Sequence, residues 1–174
     1  MGRKKILFIG DSLIEFFDWQ SRFPAHEISN LGVAGETVEG LLFRTGRVIE
    51  RCRQLDLIFI MTGINNVAME DFAFLGSYKK VLENFSSSYP GAQMIVHSLL
   101  PTLIPWISDG SIRRMNSHLR EMAGETGVGY FDLYAKFTDR EGAPVKDYYL
   151  SDGVHLSDKG YAAWADVLAP LLDG

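Results

Sequence analysis

The 174-residue chain has a single cysteine, Cys52, which excludes an internal disulfide bond and a metal site built from cysteines. Its four histidines lack the spacing of zinc ligands, so we expect neither a metal nor another cofactor. The chain also lacks an excess of positive charge, and the net charge of −5 gives no support for a nucleic-acid partner. No run reaches the roughly 18 apolar residues of a membrane-spanning helix, so no membrane span is expected.

The amino terminus lacks the features of a signal peptide, because the apolar run in MGRKKILFIGDS is short and ends at an acid. A cytoplasmic location is the expectation that follows. Hydrophobic residues make up 47% of the chain and charged residues 22%, which is ordinary for a globular protein. Neither repeats nor low-complexity linkers interrupt the sequence, so residues 1–174 are expected to form one domain.

Five short runs are apolar throughout instead of alternating, which is typical of strands covered on both faces in a parallel sheet. The runs are Lys5–Gly10, Glu27–Leu31, Leu57–Thr62, Gln93–Leu99 and Val128–Phe131. Segments with helical periodicity separate and follow them, namely a helix capped by Thr37 and reaching Arg53, then Phe74–Ser88, Ser111–Thr126 and a helix from Ser157 or Asp158 onward. This alternation predicts an α/β fold, a doubly wound sandwich around a five-stranded parallel sheet.

Polar residues follow the predicted strands, at the sheet edge where open α/β folds bind their ligands. These strand-end segments are Gly10–Ser12, Gly32–Gly35, Gly63–Asn66 and, after a long connection, Ser151–His155. Together they contain serine, asparagine, aspartate, histidine and several glycines. Acyl transfer requires these residue types, so the edge is a candidate active site.

Asp152 and His155 are separated by two residues, and Gly153 permits a tight turn between them. An aspartate at this spacing can accept a hydrogen bond from the Nδ1–H of the histidine, which leaves Nε2 available as a base. The alternative is an Asp-Gly turn before a helix, with His155 exposed or capping that helix.

Ser12 lies where the first strand meets an apolar segment, so its hydroxyl could project from the sheet edge as a nucleophile. Equally, Ser12 or Asp11 could be the N-cap of a helix that begins near Leu13. If the edge is an active site, we expect Asp11 to bond to neighbouring loop amides and to do no chemistry.

Two further residues are candidate donors to an oxyanion. Gly35 lacks a Cβ, so its backbone can approach a ligand closely, and Asn65 carries a side-chain NH₂ just past the third strand. The alternatives are structural, because Gly35 could simply open the helix at Thr37, and Asn65 with Asn66 could form a turn.

Four segments resemble the sequence blocks of the SGNH hydrolases, also called the GDSL esterase/lipase family. They are Gly10–Leu13, Asn30–Thr37, Gly63–Asn66 and Asp152–His155, in the order that the family has them. Their internal spacing is most similar to the subgroup that contains the catalytic subunits of platelet-activating-factor acetylhydrolase. Glu36 departs from the pattern, since aspartate is frequent at that position in the family.

The resemblance implies a flavodoxin-like three-layer α/β/α fold and roles for residues at matching positions. Ser12 would be the nucleophile, His155 the base and Asp152 the partner of that base. The oxyanion hole would consist of the Ser12 amide, the Gly35 amide and the side chain of Asn65. A homodimer is a further expectation from the family.

A serine esterase is therefore expected, which hydrolyses short-chain O-acyl esters, especially acetyl esters, through an acyl-Ser12 intermediate. Three alternatives stay open, namely an acyl-thioesterase, a lysophospholipase, and a binding module that holds a ligand without turnover. The small-molecule acyl ester is expected to contact Asp11, Ile64, Asn66, Trp106 and Val154. His97, inside a strand, is expected to be a hydrogen-bonded structural histidine.

Overall fold

The apolar runs form one parallel sheet with the strand order β2-β1-β3-β4-β5, which is the flavodoxin-like order. The computed structural model of the chain describes residues 2–173. Its strands are β1 (Lys5–Gly10), β2 (Glu27–Gly32), β3 (Leu57–Met61), β4 (Gln93–His97) and β5 (Gly129–Phe131). The fold class predicted from the sequence is confirmed.

Helices connect the strands and cover the sheet on both faces. Over residues 2–173 they are α1 (Ser12–Glu15), α2 (Trp19–Arg22), α3 (Val38–Arg51), α4 (Ile64–Ala68), α5 (Leu75–Ser88), α6 (Asp109–Thr126) and α7 (Asp158–Asp173). Two short 3₁₀ helices, Tyr134–Lys136 and Lys146–Tyr148, lie between β5 and α7. None of the helices in this part of the chain is both long and apolar enough to cross a membrane.

The three layers follow from the alternation of side chains along the central strand β1. Leu7 and Ile9 belong to a buried cluster that also takes in the apolar faces of α3, α5 and α6. Ile6 and Phe8 point to the opposite face of the sheet, because successive side chains of a strand alternate. There they join a second cluster with α1, α2 and α7.

Two features differ from the expectation for regular elements. β2 is not covered on both faces, because it is an edge strand with residues that are half-buried or exposed. Its sequence, EISNLG, includes polar residues that an edge tolerates. The helices α2 and α4 were not predicted, since segments of four and five residues are too short to show a helical period.

The turn after β1 depends on a close approach between two backbones. Gly10 has a φ of 153°, and a Cβ on it would lie 1.7 Å from the carbonyl oxygen of Met61 in the neighbouring strand. Only glycine fits between the strands here. Asp11 then accepts the amide hydrogen of Leu13 on its Oδ1 at 3.0 Å and so caps α1. The chain therefore leaves the sheet with Ser12 as the first residue of a helix.

His97 is structural, but the expectation that its ring is hydrogen-bonded is wrong. The side chain is completely buried at the end of β4, and neither ring nitrogen has a hydrogen-bond partner among the described residues. Its ring is surrounded by Phe59, Phe131 and Trp164, with centroids 5.2 to 5.5 Å away. Burial lowers the pKa of His97 to about 3, so the imidazole is neutral in the folded protein.

Candidate active site

Ser12 and His155 meet at the carboxyl end of the sheet although 143 positions separate them in the chain. Ser12 Oγ lies 3.0 Å from His155 Nε2, within hydrogen-bonding distance. The serine is 5% exposed and held at the start of α1, whereas the histidine sits on the loop that precedes α7. A hydroxyl in this position has a base next to it.

Asp152 orients the imidazole from its other side. Its Oδ2 lies 2.8 Å from His155 Nδ1, and its Oδ1 accepts the backbone amides of Val154 and His155, each at 2.9 Å. Partial burial opposes ionisation of this carboxyl, but the two amides and the imidazole outweigh burial and lower the pKa of Asp152. The ionised carboxylate favours Nδ1 as the protonated nitrogen, so that Nε2 can accept a proton from Ser12.

The candidate oxyanion donors lie on the segments that follow β1, β2 and β3. Ser12 is the first residue of α1, so its amide precedes the first intrahelical hydrogen bond. Gly35 has a φ of 74° in the loop after β2, and its amide has no backbone acceptor within the described residues. Asn65, in α4, donates one Nδ2 hydrogen to the carbonyl of Glu36 at 2.9 Å. A side-chain amide has two such hydrogens, so the second remains for another acceptor.

Most of the chain matches the profile of a known family. A sequence profile of the GDSL-like Lipase/Acylhydrolase family matches residues 8–163. The chain belongs to this family. Platelet-activating factor acetylhydrolase IB subunit alpha1 of Bos taurus is 26% identical over 175 residues, which cover 97% of this chain and 75% of the relative.

Solved structures agree with the sequence comparison. A protein from Streptococcus pneumonia, described in connection with platelet activating factor, superposes with a TM-score of 0.86 at 26% identity and covers 98% of this chain and 84% of its own. An acetylxylan esterase from Geobacillus stearothermophilus shares the fold with a TM-score of 0.74 at 23% identity, over 98% and 95% of the two chains. This GDSL-family chain is a carboxylic ester hydrolase.

The loop that carries Gly35 is held by ionic contacts that sequence reasoning missed. Arg44 of α3 donates from Nε to Glu36 Oε1 at 2.5 Å and from Nη2 to Glu36 Oε2 at 2.6 Å, and it also binds the carbonyl of Leu31 at 2.8 Å. Glu15 of α1 accepts the amide of Ala34 at 2.5 Å. The spacing of eight residues between Glu36 and Arg44 crosses the start of a helix, so no helical pairing rule could have predicted the bridge.

Two residues that we expected to contact the substrate are completely buried, and this corrects the expectation. Asp11 is 0% exposed beneath the turn, and burial raises the pKa of its carboxyl to about 7. Asn66 is also 0% exposed. Its side chain accepts the amide of Val38 and donates to Glu39 and Asp71, so its polar atoms join α4 to α3.

The other three expected substrate contacts have different surroundings. Ile64 is 4% exposed, about as little as Ser12, and belongs to the cluster beneath α3 and α5, so its contact with a substrate stays a prediction. Val154 is half-buried beside His155, and Trp106 is 75% exposed on the loop between β4 and α6. Contact between the substrate and either Val154 or Trp106 stays a prediction. The same loop supports the base, because the amide of Leu103 donates to the carbonyl of Gly153 at 2.8 Å.

Proposed function

We propose that this GDSL hydrolase cleaves short-chain O-acyl esters, acetyl esters above all, through a covalent acyl intermediate on Ser12. The observation that carries the proposal is the continuous chain of contacts from Ser12 Oγ to His155 Nε2 at 3.0 Å and from His155 Nδ1 to Asp152 Oδ2 at 2.8 Å. A serine hydroxyl becomes an effective nucleophile when an oriented base takes its proton.

In the proposed first half-reaction, Ser12 Oγ attacks the ester carbonyl while its proton moves to His155 Nε2. The carbonyl oxygen becomes an oxyanion, which accepts hydrogen bonds from the Ser12 amide, the Gly35 amide and Asn65 Nδ2. Asp152 stabilises the imidazolium that forms. The C–O bond to the alcohol then breaks, and the departing oxygen takes the proton from His155 Nε2.

In the second half-reaction, a water molecule attacks the acyl-Ser12 ester. His155 Nε2 takes a proton from this water, and the same donors hold the second oxyanion. When the intermediate collapses, Ser12 Oγ regains its proton from His155 and the carboxylic acid leaves. One base therefore serves both halves of the cycle.

The preference for acetyl esters is supported by what the relatives act on. One relative in sequence is an acetylhydrolase and one relative in structure is an acetylxylan esterase, so two proteins with very different alcohols have the acetyl group in common. The acyl portion is thus the feature that a shared site would recognise, while the alcohol varies between family members.

The test is hydrolysis of p-nitrophenyl esters from acetate to decanoate by the wild-type protein and by Ser12→Ala. We expect wild-type kcat/KM to be highest at acetate and to fall with chain length. Ser12→Ala should lose at least about 1,000-fold in kcat, since removal of one member of such a triad has an effect of this size or larger. Thermal melts of both proteins show whether the variant is folded.

Equal activity of wild type and a folded Ser12→Ala protein would remove Ser12 as the nucleophile. A rate that rises from acetate toward decanoate would leave the acyl-serine mechanism intact and overturn the acetyl preference. An acetyl thioester offered in competition with an acetyl ester reports which of the two bonds the site prefers.

A further inference from the structure

The geometry of the proposed reaction fixes where the alcohol must leave. The oxyanion has to face Gly35 and Asn65, whereas the oxygen that departs must lie within reach of His155 Nε2 to receive its proton. The alcohol therefore extends past the imidazole, on the side away from the loop that carries Gly35. This inference rests on the proposed function and adds to it the nature of the alcohol.

A groove of about 570 Å³ borders the imidazole, and its lining takes in no residue of the loop that carries Gly35. We call it the leaving-group groove, and its lining includes Phe16, Phe17, Leu150, His155, Leu156 and Tyr161. Phe16 follows Ser12 by one helical turn, and its amide donates to the Ser12 carbonyl at 3.0 Å. The ring of Phe16 lies 5.3 Å from that of His155, between centroids. One wall of the groove is therefore joined directly to the nucleophile and the base.

The surface of the groove next to His155 is apolar. Phe16 is 56% exposed and Leu150 is 50% exposed, although large hydrophobic side chains are usually more deeply buried. Leu150 follows Tyr149, which forms a β-bridge with Leu156, and the Leu150 amide donates to the His155 carbonyl at 2.8 Å. Two exposed apolar side chains thus flank the one group that must touch the departing oxygen.

Several polar side chains of the groove are bonded to the protein. Ser157 Oγ donates to the carbonyl of Asp147 at 2.7 Å, and Lys159 Nζ donates to the carboxylate of Asp147 at 2.8 Å. The hydroxyl of Tyr161 donates to the carbonyl of Leu13 at 3.1 Å. Ser157 and Tyr161 therefore have little capacity left for the hydroxyls of a sugar. The carboxylates of Asp147 and Asp158 also outnumber the single lysine, which disfavours an anionic alcohol.

We infer that the leaving-group groove binds the alcohol portion of the ester, that this alcohol is uncharged and apolar, and that Phe16 and Leu150 determine this specificity. An aryl or alkyl group on the alcohol is covered by the two side chains when the ester carbonyl reaches Ser12. Removing this apolar surface from water favours the reacting complex of such an ester over that of a small or polar one.

The test keeps the acyl group constant and changes the alcohol. The three substrates are ethyl acetate, 2-phenylethyl acetate and glycerol monoacetate, and the alcohols of the first two are primary and of similar acidity. For the wild type we expect kcat/KM for 2-phenylethyl acetate to exceed that for ethyl acetate by about tenfold. Glycerol monoacetate should resemble ethyl acetate. The ratio of the first two values is the readout, because any disturbance of His155 affects both substrates alike.

Phe16→Ala should lower this ratio to about twofold. Leu150→Ala should lower the ratio as well, and the alanine keeps the backbone hydrogen bond of residue 150. Phe43→Ala is the matched control, since Phe43 is 84% exposed on α3 and lies outside the groove. The control should keep the wild-type ratio. Thermal melts accompany all three variants.

A wild-type ratio near one, or a preference for glycerol monoacetate, would overturn the inference. The inference would also be overturned if Phe16→Ala and Leu150→Ala both kept the ratio that the wild-type protein shows. A failure of the proposed function gives a different result. In that case the Ser12→Ala protein still hydrolyses p-nitrophenyl acetate, and this outcome does not depend on the ratio of kcat/KM between the two alcohols.

Discussion

Asp152 and Asn65 each divide their polar atoms between the backbone and the groups that the proposed mechanism uses. One carboxylate oxygen of Asp152 accepts two amides, and the other faces His155. One amide hydrogen of Asn65 holds the carbonyl of Glu36, and the other is available to an oxyanion. Anchoring by one atom leaves the second atom at a fixed angle. Preorganisation of this kind lets a donor stabilise developing charge without first having to reorient.

Gly35→Ala tests whether the amide at this position works as an oxyanion donor. A Cβ on Gly35 would meet no heavy atom within 4 Å, so the substitution causes no clash. The φ of 74°, however, costs a residue with a Cβ roughly 1–2 kcal/mol. Relaxation of that strain would change the direction of the Gly35 amide. We expect kcat for p-nitrophenyl acetate to fall about 100-fold, with a much smaller change in KM.

Gly46→Ala is the matched control for this prediction. Gly46 lies in the helix α3 and also has open space around its Cβ position, but its backbone is helical. Alanine should therefore stabilise the protein by up to about 1 kcal/mol and leave kcat unchanged. If Gly35→Ala kept the wild-type kcat, the Gly35 amide would have no part in the oxyanion hole.

At the scale of elements, the loop between β2 and α3 is positioned by its neighbours more than by its own bonds. Glu15 holds it from α1, Arg44 holds it from α3, and Asn65 holds it from α4. The Glu36 side chain is 8% exposed and that of Arg44 is 18% exposed, so this ion pair is shielded from solvent. Three separate elements thus determine where the Gly35 amide points.

Arg44→Lys should weaken this positioning while it preserves the charge. The guanidinium binds both oxygens of Glu36 and the carbonyl of Leu31 at once, whereas an ammonium group cannot reproduce that planar arrangement. We expect kcat to fall about tenfold with KM changed by less than about twofold, because a misplaced donor affects the transition state more than the bound ester. Steady-state kinetics with p-nitrophenyl acetate measures both constants.

Arg47→Lys serves as the control, since Arg47 is an exposed arginine of the same helix, and it should not change either constant. Arg44→Met goes further, because it leaves the Glu36 carboxylate partly buried without its partner and should cost about 3 kcal/mol of stability. A folded Arg44→Lys protein with wild-type kcat would show that the ion pair stabilises α3 without positioning the oxyanion donor.

The long elements could be predicted from sequence, and the short ones could not. β1, β3 and α5 carry enough apolar residues in a fixed period to reveal type and extent. α1 spans a single turn, so its capping Asp11 was open to two interpretations. The exposure of β2 depends on its place at the edge of the sheet, which the order of strands along the chain does not determine.

At the scale of the whole molecule, some features of the candidate site could also be predicted from sequence and others could not. Ser12, Gly35, Asn65 and His155 were predicted to lie together because parallel strands bring their carboxyl ends to one edge. Burial of Asp11 and Asn66 was missed, because a polar residue after a strand can face either the solvent or the interior. Packing between elements determines whether the side chains of Asp11 and Asn66 face inward, and a local sequence pattern does not contain that information. The homodimer stays a prediction.

His97 gives the folded molecule a dependence on pH that does not come from the active site. Its folded-state pKa is about 3, whereas an unfolded histidine has a pKa of about 6.5. Below pH 6.5 the unfolded state therefore binds a proton that the folded state excludes, and stability decreases as the pH falls toward 3. Asp11 acts in the opposite direction, because its raised pKa makes stability decrease as the pH rises from about 4 to about 7.

His97→Met should separate these two contributions. Methionine has nearly the volume of histidine and no strongly polar atom. The substitution therefore removes the two unpaired imidazole nitrogens that Phe59, Phe131 and Trp164 surround. Asp11 is present in both proteins and cancels in the comparison. We expect the variant to gain about 2 kcal/mol relative to wild type between pH 7.5 and pH 5, which corresponds to roughly 5 °C in Tm.

Thermal melts of both proteins across this pH range measure the difference. His118→Met, at an exposed histidine of α6, is the control for the general effect of replacing a histidine by methionine. A Tm difference for His97→Met that stays constant from pH 7.5 to pH 5 would mean that the folded protein accepts a proton at His97. The buried face of β4 would then have to open to water well above pH 3, and the aromatic side chains around the imidazole would not form a sealed layer.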